Sequence, residues 1–366
     1  NQINRYQRDS FWASSGLYEY IQIFVISNGT FTKYYSNTTR TNHINDMKKR
    51  TGKKEYTSHS FEFTSYWADA TNKIIPDLVD FTKTFFQKHT ILNILTKYCV
   101  FTAENMLLVM RPYQIVATER ILNRIEVANN YKKFGSIEGG GYIWHTTGSG
   151  KTMTSFKSAQ LIANSKDADK VVFLIDRIEL GTQSAGEYRG FAEATDDIQE
   201  TEDTSVLIAK LKSNDPANTL IVTSVQKMSN IKDDTEGKLK KADLDLITSK
   251  RIVFIVDECH RSTFGDMMQV VKHTFPKALF FGFSGTPIQV ENEKKGNTTA
   301  DVFGNELHRY SIADGIRDKN VLGFDPDKVL TFKEKDIREA VALDKAKAAT
   351  VAEVFSDPKK QKIYYE

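Results

Sequence analysis

Five short, continuous apolar runs punctuate the middle of the chain, and the segments between them show helical periodicity. A run that is apolar at every position is typical of a strand buried on both faces of a parallel sheet, because helices cover both faces there. The alternation of strands and helices therefore predicts a doubly wound α/β lobe over residues 99–318. The predicted strands are residues 142–144, 171–175, 220–222, 252–256 and 278–283.

Residues 1–98 are instead rich in aromatic and β-branched residues. Apolar runs at 20–26 and 31–35 flank an Asn28-Gly29 pair, which in that setting predicts a β-hairpin turn whose two central residues take positive φ. From 75 to 100, apolar residues recur at roughly helical spacing and predict helices. We accordingly expect three regions, namely an α+β region at 1–98, the α/β lobe at 99–318 and a connector at 319–366.

Length and composition narrow the class of protein. A chain of 366 residues exceeds the size at which one hydrophobic core usually suffices, which agrees with several domains. It holds no apolar run of about 18 uncharged residues, so no membrane span is predicted. The formal net charge of +3 neither indicates nor excludes a polyanionic partner. Because only Cys99 and Cys259 are present, a disulfide framework is implausible and a reducing cytoplasm is expected.

The first predicted strand of the lobe runs into a glycine-rich segment that opens a helix. In such a turn, backbone N–H groups wrap a phosphate, a lysine reaches the β and γ oxygens, and a hydroxyl binds Mg²⁺. His145 stands where the general pattern has its first glycine, so the pattern alone also fits an ordinary glycine turn. We predict that ATP is bound by Thr147, Gly148, Ser149, Gly150, Lys151 and Thr152.

Two acids, Asp257 and Glu258, follow the strand at 252–256. An acid beside a phosphate loop can hold Mg²⁺, and an adjacent carboxylate can polarise the attacking water. We therefore predict that Asp257 binds the metal together with Thr152, that Glu258 is the base, and that Lys151 completes the catalytic set. The loop and the acids are expected to meet across neighbouring strand ends. Cys259 is expected to be a packed residue, and His260 a hydrogen-bonding sensor beside the phosphates.

In order and placement, these segments resemble the motifs of superfamily 2 nucleic-acid motors. Arg111-Pro112-Tyr113-Gln114 is similar to the adenine-reading Q motif, the loop to motif I, residues 257–260 to motif II, and Ser284-Gly285-Thr286-Pro287 to motif III. The resemblance implies a RecA-like lobe in which Arg111 and Gln114 contact adenine. It also implies that Ser284 and Thr286 couple the nucleotide state to the nucleic acid.

Two further segments resemble the motifs that grip a nucleic-acid strand in that superfamily. They are Asp176-Arg177 and Thr223-Ser224-Val225-Gln226-Lys227. The resemblance implies that Arg177, Thr223, Ser224 and Lys227 contact DNA phosphates. Because phosphates carry charge but no sequence information, such binding would be salt-sensitive and largely independent of sequence.

Within the superfamily, the chain most resembles the R (motor, HsdR) subunit of type I restriction enzymes, over essentially its whole length. The segments that carry this resemblance are residues 142–152, 257–262, 283–288, 302–304 and 310–318. At the amino terminus, Gln2-Ile3-Asn4-Arg5-Tyr6 is similar to the family's Q-x-x-x-Y element, which implies that Gln2 and Tyr6 support a nuclease site. The metal ligands of that nuclease are expected before Asn1, so the chain is expected to be a fragment.

The resemblance implies ATP- and Mg²⁺-dependent translocation of double-stranded DNA, with cleavage, by a subunit that joins methyltransferase (M) and specificity (S) subunits. Hydrolysis in these motors requires arginines from a second RecA-like lobe, and residues 319–366 would only begin that lobe. The chain alone is therefore expected to bind ATP weakly and to hydrolyse it slowly. Two alternatives stay open. One is a strand-separating helicase that shares the same nucleotide site. The other is a nucleotide-gated, non-catalytic DNA-binding module, which would have no need of Glu258.

Overall fold

An antiparallel hairpin lies near the amino terminus, as predicted. After helix α1 (Gln2–Arg5), strands β1 (Ile23–Ser27) and β2 (Thr32–Ser36) pair with each other. The expected turn geometry is wrong in one respect, because only Gly29 of the four loop residues has a positive φ, at 93°. The Asn28 side chain instead accepts hydrogen bonds from the backbone N–H groups of Thr30 and Phe31, and this turn needs no second positive φ.

Two helices follow where helical spacing predicts them, α2 (Leu78–Phe85) and α3 (Lys88–Thr96). A short antiparallel pair comes next, β3 (Cys99–Phe101) and β4 (Leu107–Val109), and then the long helix α4 (Pro112–Asn130). Proline is suited to the first position of a helix because its missing N–H would have no partner there. Tyr34, Phe81, Phe85 and Ile115 share one buried cluster, which packs the hairpin and α2 against the start of α4.

The central region is one seven-stranded sheet in which every pairing is parallel. Its strands are β5 (Gly141–His145), β6 (Lys170–Ile175), β7 (Gln199–Glu200), β8 (Leu220–Ser224), β9 (Ile252–Val256), β10 (Leu279–Ser284) and β11 (Glu306–Tyr310). Their order across the sheet is β11-β5-β10-β9-β6-β8-β7. All five predicted strands are present, and β7 and β11 are additional edge strands.

Helices cover both faces of this sheet. They are α5 (Lys151–Ser165), α6 (Thr204–Lys212), α7 (Val225–Ser229), α8 (Lys241–Thr248), α9 (Thr263–Thr274), α10 (Thr299–Phe303) and α11 (Ile312–Arg317). On one face α4 and α5 pack against Phe173 and Phe281, and on the other α6, α7 and α9 pack against Phe254. The predicted α/β, RecA-like lobe is confirmed.

The computed structural model describes residues 2–6, 20–39, 61, 63–102, 106–175, 199–200, 204–231, 240–260, 263–289, 298–321 and 334–365. The chain divides into two units, Asn1–Leu322 and Gly323–Glu366. The second contains helices α12 (Glu334–Lys345), α13 (Val351–Phe355) and α14 (Pro358–Tyr365). The predicted boundaries at 98 and 318 stay predictions. Within the described ranges, no helix has both the length and the apolar character that crossing a bilayer requires.

Candidate nucleotide site

A tight loop connects the end of β5 to the first residue of α5. Two of its residues, Gly148 and Gly150, have φ values of 79° and 78°, in the left-handed region that favours glycine. Gly150 is the N-cap of α5, and Lys151 begins the helix with only 8% of its surface exposed. The loop therefore lies at a helix N-terminus, where free backbone N–H groups attract phosphate.

The acidic pair lies at the same edge of the sheet, because the carboxyl ends of parallel strands meet there. The Lys151 ammonium is 3.6 Å from the nearer carboxylate oxygen of Glu258. One detail of the prediction is wrong, since β10 lies between β5 and β9 and the two strands are not neighbours. The long lysine side chain spans this gap, so the loop and the acidic pair come together nonetheless.

The intervening strand β10 brings a third predicted segment to the site. A Cβ atom placed on Gly285, directly after this strand, would lie 3.1 Å from the Thr147 hydroxyl and 3.4 Å from the Lys151 ammonium. The absence of a side chain at this position therefore lets the segment approach the phosphate loop closely.

His260 contacts both the acidic pair and the end of β10. Its Nδ1 atom is 2.9 Å from the Ser284 hydroxyl and 3.4 Å from a Glu258 carboxylate oxygen. The Ser284 hydroxyl also accepts a hydrogen bond from the backbone N–H of Thr286, whose side chain is exposed. The structure thus brings Lys151, Glu258, His260 and Ser284 into one set of contacts.

A hydroxyl on Thr152 and a carboxylate on Asp257 are the groups that could hold a magnesium ion. Among the described residues there is no cluster of three or more His, Cys, Asp or Glu side chains that could hold a metal by itself. Mg²⁺ commonly takes one or two protein oxygens and completes its shell with phosphate oxygens and water. The available donors therefore fit Mg²⁺ bound together with a nucleotide.

Cys259, between the acids and His260, is buried beneath the site. Burial first, and then the nearby carboxylates, raise the pKa of its thiol far above the ordinary value. Because the reactive form of cysteine is the thiolate, this thiol is unsuited to act as a nucleophile. A packing role agrees with its place in the apolar cluster behind β9 and β10.

The side chains of two residues predicted to contact the nucleotide, Gln114 and Ser149, form hydrogen bonds with backbone groups of the protein. Gln114 is 2% exposed. Its Nε2 donates to the carbonyl oxygens of Ser149 and Gly150, while its Oε1 accepts from the backbone N–H of Arg111. Ser149 is buried, and its hydroxyl donates to the carbonyl oxygen of Thr146. Gln114 therefore fixes the loop in this arrangement, and its contact with adenine stays a prediction.

Sequence reasoning missed Tyr113, although it lies within the segment that resembles the Q motif. Its hydroxyl donates to the Ser149 carbonyl oxygen at 2.7 Å, beside the bond from Gln114. Arg111 is half-buried next to it, at a small cleft that Asn72, Tyr310 and Asn320 also line. A sequence pattern does not reveal this tyrosine, because its contact with the loop joins two residues that are far apart in the sequence.

The predicted DNA contacts are less accessible than expected. Thr223 and Ser224 end β8 at the same edge of the sheet but are only 3% and 4% exposed. The Ser224 hydroxyl caps α7 by accepting from the backbone N–H of Lys227, which is itself half-buried. Contact between DNA and either buried side chain would require this segment to open. Arg177 lies outside the described residues, and all four contacts stay predictions.

The two residues predicted to support a nuclease site touch each other. The side-chain amide of Gln2 donates to the hydroxyl of Tyr6 at 2.9 Å, one helical turn away. This contact accounts for the spacing of the Q-x-x-x-Y element, whereas a nuclease role for the pair stays a prediction.

Comparisons with known proteins identify the family of the chain. The sequence profile of the SWI2/SNF2 ATPases matches residues 113–362, and that of the type I restriction enzyme R protein N terminus matches residues 1–43. The carboxy-terminal part of the putative type I restriction enzyme MpnIIP endonuclease subunit of Mycoplasma pneumoniae is 44% identical over 210 residues, 57% of this chain and 99% of that protein. The chain belongs to the endonuclease subunits of type I restriction enzymes.

Longer members of this family are similar over most of the chain. The type I restriction enzyme SsaAORF53P endonuclease subunit of Staphylococcus saprophyticus is 41% identical over 341 residues, 92% of this chain. Those residues are 32% of that protein, so the chain spans about a third of its length. Among solved structures, a fragment of a putative HsdR subunit from Vibrio vulnificus is 17% identical and has a TM-score of 0.38, covering 92% of this chain and 51% of that one.

Proposed function

We propose that this chain is the ATP-binding part of a subunit that moves along double-stranded DNA and restricts it, within a type I restriction complex. The observation that supports the proposal is the 3.6 Å approach of Lys151 to Glu258, because it is what a phosphate loop and an acidic pair acting on one nucleotide would require. A binding module without catalysis would not need a carboxylate poised there. Membership in the endonuclease-subunit family supports the DNA-directed part.

Each group has a distinct task in this proposal. The loop backbone and Lys151 bind the phosphates of ATP, and Thr152 and Asp257 would hold a Mg²⁺ ion, which would neutralise phosphate charge. Glu258 accepts a proton from the water that attacks the γ-phosphorus, and the bond to the bridging oxygen of ADP breaks. His260, which touches Glu258 and Ser284, is placed to report the state of the nucleotide to the end of β10.

The wider assignment rests on family membership. We propose that the whole subunit works in the cytoplasm with methyltransferase and specificity subunits. Residues 1–98 would belong to the nuclease-side region, residues 99–318 to the first motor lobe, and residues 319–366 to the beginning of the second. Gln2 and Tyr6 would then support the nuclease, while Arg177, Thr223, Ser224 and Lys227 would contact DNA phosphates.

Nucleotide binding is tested by equilibrium dialysis with labelled ATP and Mg²⁺. Lys151→Ala removes the charged donor and should weaken binding roughly 30-fold, since a hydrogen bond to a charged group is worth about 2 kcal/mol. Lys277→Ala, at an exposed lysine just before β10 and thus at the opposite end of that strand from the site, is the control and should bind like wild type. Equal binding by Lys151→Ala and wild type would contradict the proposed nucleotide site.

Translocation is tested by displacement of a third strand from a DNA triplex by the assembled complex. The proposal predicts that ATP drives loss of the third strand while the duplex stays closed. Released single strands would favour a strand-separating helicase instead. Unchanged displacement by a complex carrying Lys151→Ala would favour the non-catalytic module.

A further inference from the structure

His145, in the place of the phosphate loop's first glycine, meets a second histidine in the interior. It is the last residue of β5, and Tyr310 of the edge strand β11 lies opposite it. The Nε2 atom of His145 is 3.0 Å from the Nδ1 atom of His308 on β11. Both imidazoles are buried, at 0% and 2% exposure. Burying two polar rings costs free energy unless they form a hydrogen bond with each other. A buried histidine pair at the start of the loop is therefore expected to have a specific role.

The pair has a definite protonation pattern. Burial lowers the pKa of His145 well below the ordinary value, and burial together with the nearby Arg120 guanidinium lowers the pKa of His308 to about 4. Both rings are therefore neutral at neutral pH, with one donor and one acceptor nitrogen each.

The remaining nitrogen of His145 indicates which ring donates. Its Nδ1 atom is buried and has no hydrogen-bond partner in the described part of the chain. A buried N–H donor without an acceptor is rarer in proteins than an acceptor without a donor. We therefore assign the proton of His145 to Nε2, which donates to Nδ1 of His308.

Two tyrosines extend the pair into a layer beneath the loop, which we call the support layer and define as Tyr113, His145, His308 and Tyr310. The rings of Tyr113 and Tyr310 are stacked with centroids 3.7 Å apart, and the edge of His145 meets Tyr113 at 5.3 Å. The layer also bonds to both ends of the loop. The carbonyl oxygen of Tyr310 accepts from the backbone N–H of Thr146, and the Tyr113 hydroxyl donates to the Ser149 carbonyl oxygen.

We propose that His308 is a positioning residue for the phosphate loop. By accepting a hydrogen bond from His145 it fixes the ring on which the loop begins, and so sets where the loop's N–H groups meet a phosphate. His308 does not touch the nucleotide and acts only through His145. The inference rests on the proposed nucleotide site, because it assigns a task to a residue behind that site.

The test compares ADP, which has the phosphates that the loop binds, with adenosine, which lacks them. His308→Leu removes the acceptor, whereas His308→Asn keeps an oxygen close to the position of Nδ1. Dissociation constants for both ligands are measured on the 366-residue chain. Since one buried hydrogen bond is lost, we expect His308→Leu to bind ADP about tenfold more weakly and adenosine within about twofold of wild type. His308→Asn should bind ADP within about threefold of wild type.

Leu307→Ala separates positioning from loss of stability. This substitution removes a buried apolar side chain from the same strand and leaves both histidines in place. It should lower stability but leave ADP affinity unchanged. If His308→Leu weakens ADP and adenosine equally, or if Leu307→Ala weakens ADP as much, the role of His308 is only structural and the proposal is wrong.

Should His308→Leu fail to fold, the partner residue gives the same contrast. His145→Gln keeps an N–H donor near the position of Nε2 and should retain ADP affinity, whereas His145→Leu should lose it. Equal affinity for the two would overturn the proposal. Absence of ADP binding by wild type would be a different result, since it would overturn the proposed nucleotide site and the positioning role together.

Discussion

At the scale of single residues, the proposed hydrolysis depends most on the carboxylate of Glu258. Its backbone has a φ of 48°, which is uncommon for a residue with a side chain and costs free energy. This strained position places one carboxylate oxygen near Lys151 and the other near His260. Strain of this kind persists where the surrounding structure enforces it, and here it holds an acid between the phosphate loop and the end of β10.

Glu258→Gln should separate binding from hydrolysis. The amide keeps the size of the side chain but cannot take up the proton of the attacking water, so ATP turnover should fall at least about 100-fold. ATP affinity should stay within about threefold of wild type, because the loop and Lys151 are intact. Steady-state phosphate release by the assembled complex and equilibrium dialysis measure the two quantities.

The control for this change is Glu138→Gln, at a glutamate paired with Lys133 on the surface, whose side chain is 73% exposed. It should alter neither quantity. Turnover by Glu258→Gln at the wild-type rate would remove Glu258 from the role of base.

His308 should make the stability of the chain depend on pH. Its pKa in the folded chain is about 4, below the value of 6.5 for a free imidazole. Between these values the unfolded chain takes up a proton that the folded chain does not, so the free energy of unfolding falls as the pH drops. Between about pH 7 and about pH 5, this one side chain should lower the free energy of unfolding by about 2 kcal/mol.

Urea unfolding at the two pH values measures this loss. In His308→Asn the part due to His308 disappears, while His145, whose pKa is shifted in the same direction, still contributes. An identical pH dependence in wild type and variant would show that His308 is not held neutral in the folded chain.

At the scale of elements, glycines let connections approach neighbouring backbone. Gly135, in the turn after α4, has a φ of 80°, and a Cβ there would lie 1.9 Å from the Pro276 carbonyl oxygen. Gly29, in the hairpin loop, has a φ of 93°, and a Cβ placed there would have no neighbouring atom within 4 Å. The first glycine is required by both conformation and space, whereas the second is required by conformation alone.

Replacing each glycine by alanine should distinguish these two requirements. Gly135→Ala should lower the free energy of unfolding by about 3 kcal/mol or more, because rigid backbone must move to admit the methyl group. Gly29→Ala should cost only about 1 kcal/mol, from the strained φ. Urea unfolding of both variants is the measurement, and equal losses would show that the turn at Gly135 adjusts freely.

The elements also show what could be predicted from the sequence. Strand β9 is a continuous apolar run and β6 and β10 are mostly apolar, and the position of the candidate motifs at their ends followed from these runs. The edge strand β11 reads Glu-Leu-His-Arg-Tyr and has no apolar run, because at the edge of the sheet Arg309 is exposed and Glu306 is only partly buried. Tyr113 and His308 were missed because their contacts join residues 36 and 163 positions apart.

At the scale of the whole molecule, the described contacts of the proposed nucleotide site lie within the first unit, whereas hydrolysis in such motors also needs charges from a second lobe. The chain spans 32% of the length of its staphylococcal relative. We therefore expect the 366 residues alone to bind ATP weakly and to turn it over slowly.

A phosphate-release assay with and without duplex DNA tests this expectation. It should give a rate far below that of a complete type I complex, with little stimulation by DNA. Near-full, DNA-stimulated turnover by the isolated chain would show that a second lobe is not needed.

The central claim is that the phosphate loop and the acidic pair hold one magnesium nucleotide between them. The most direct measurement is the affinity for a hydrolysis-resistant ATP analogue, with and without Mg²⁺, in wild type and in Asp257→Asn. Magnesium should tighten binding about tenfold in wild type and only slightly in the variant, which lacks the metal-binding carboxylate. An undiminished magnesium effect in Asp257→Asn, or none in wild type, would contradict the account.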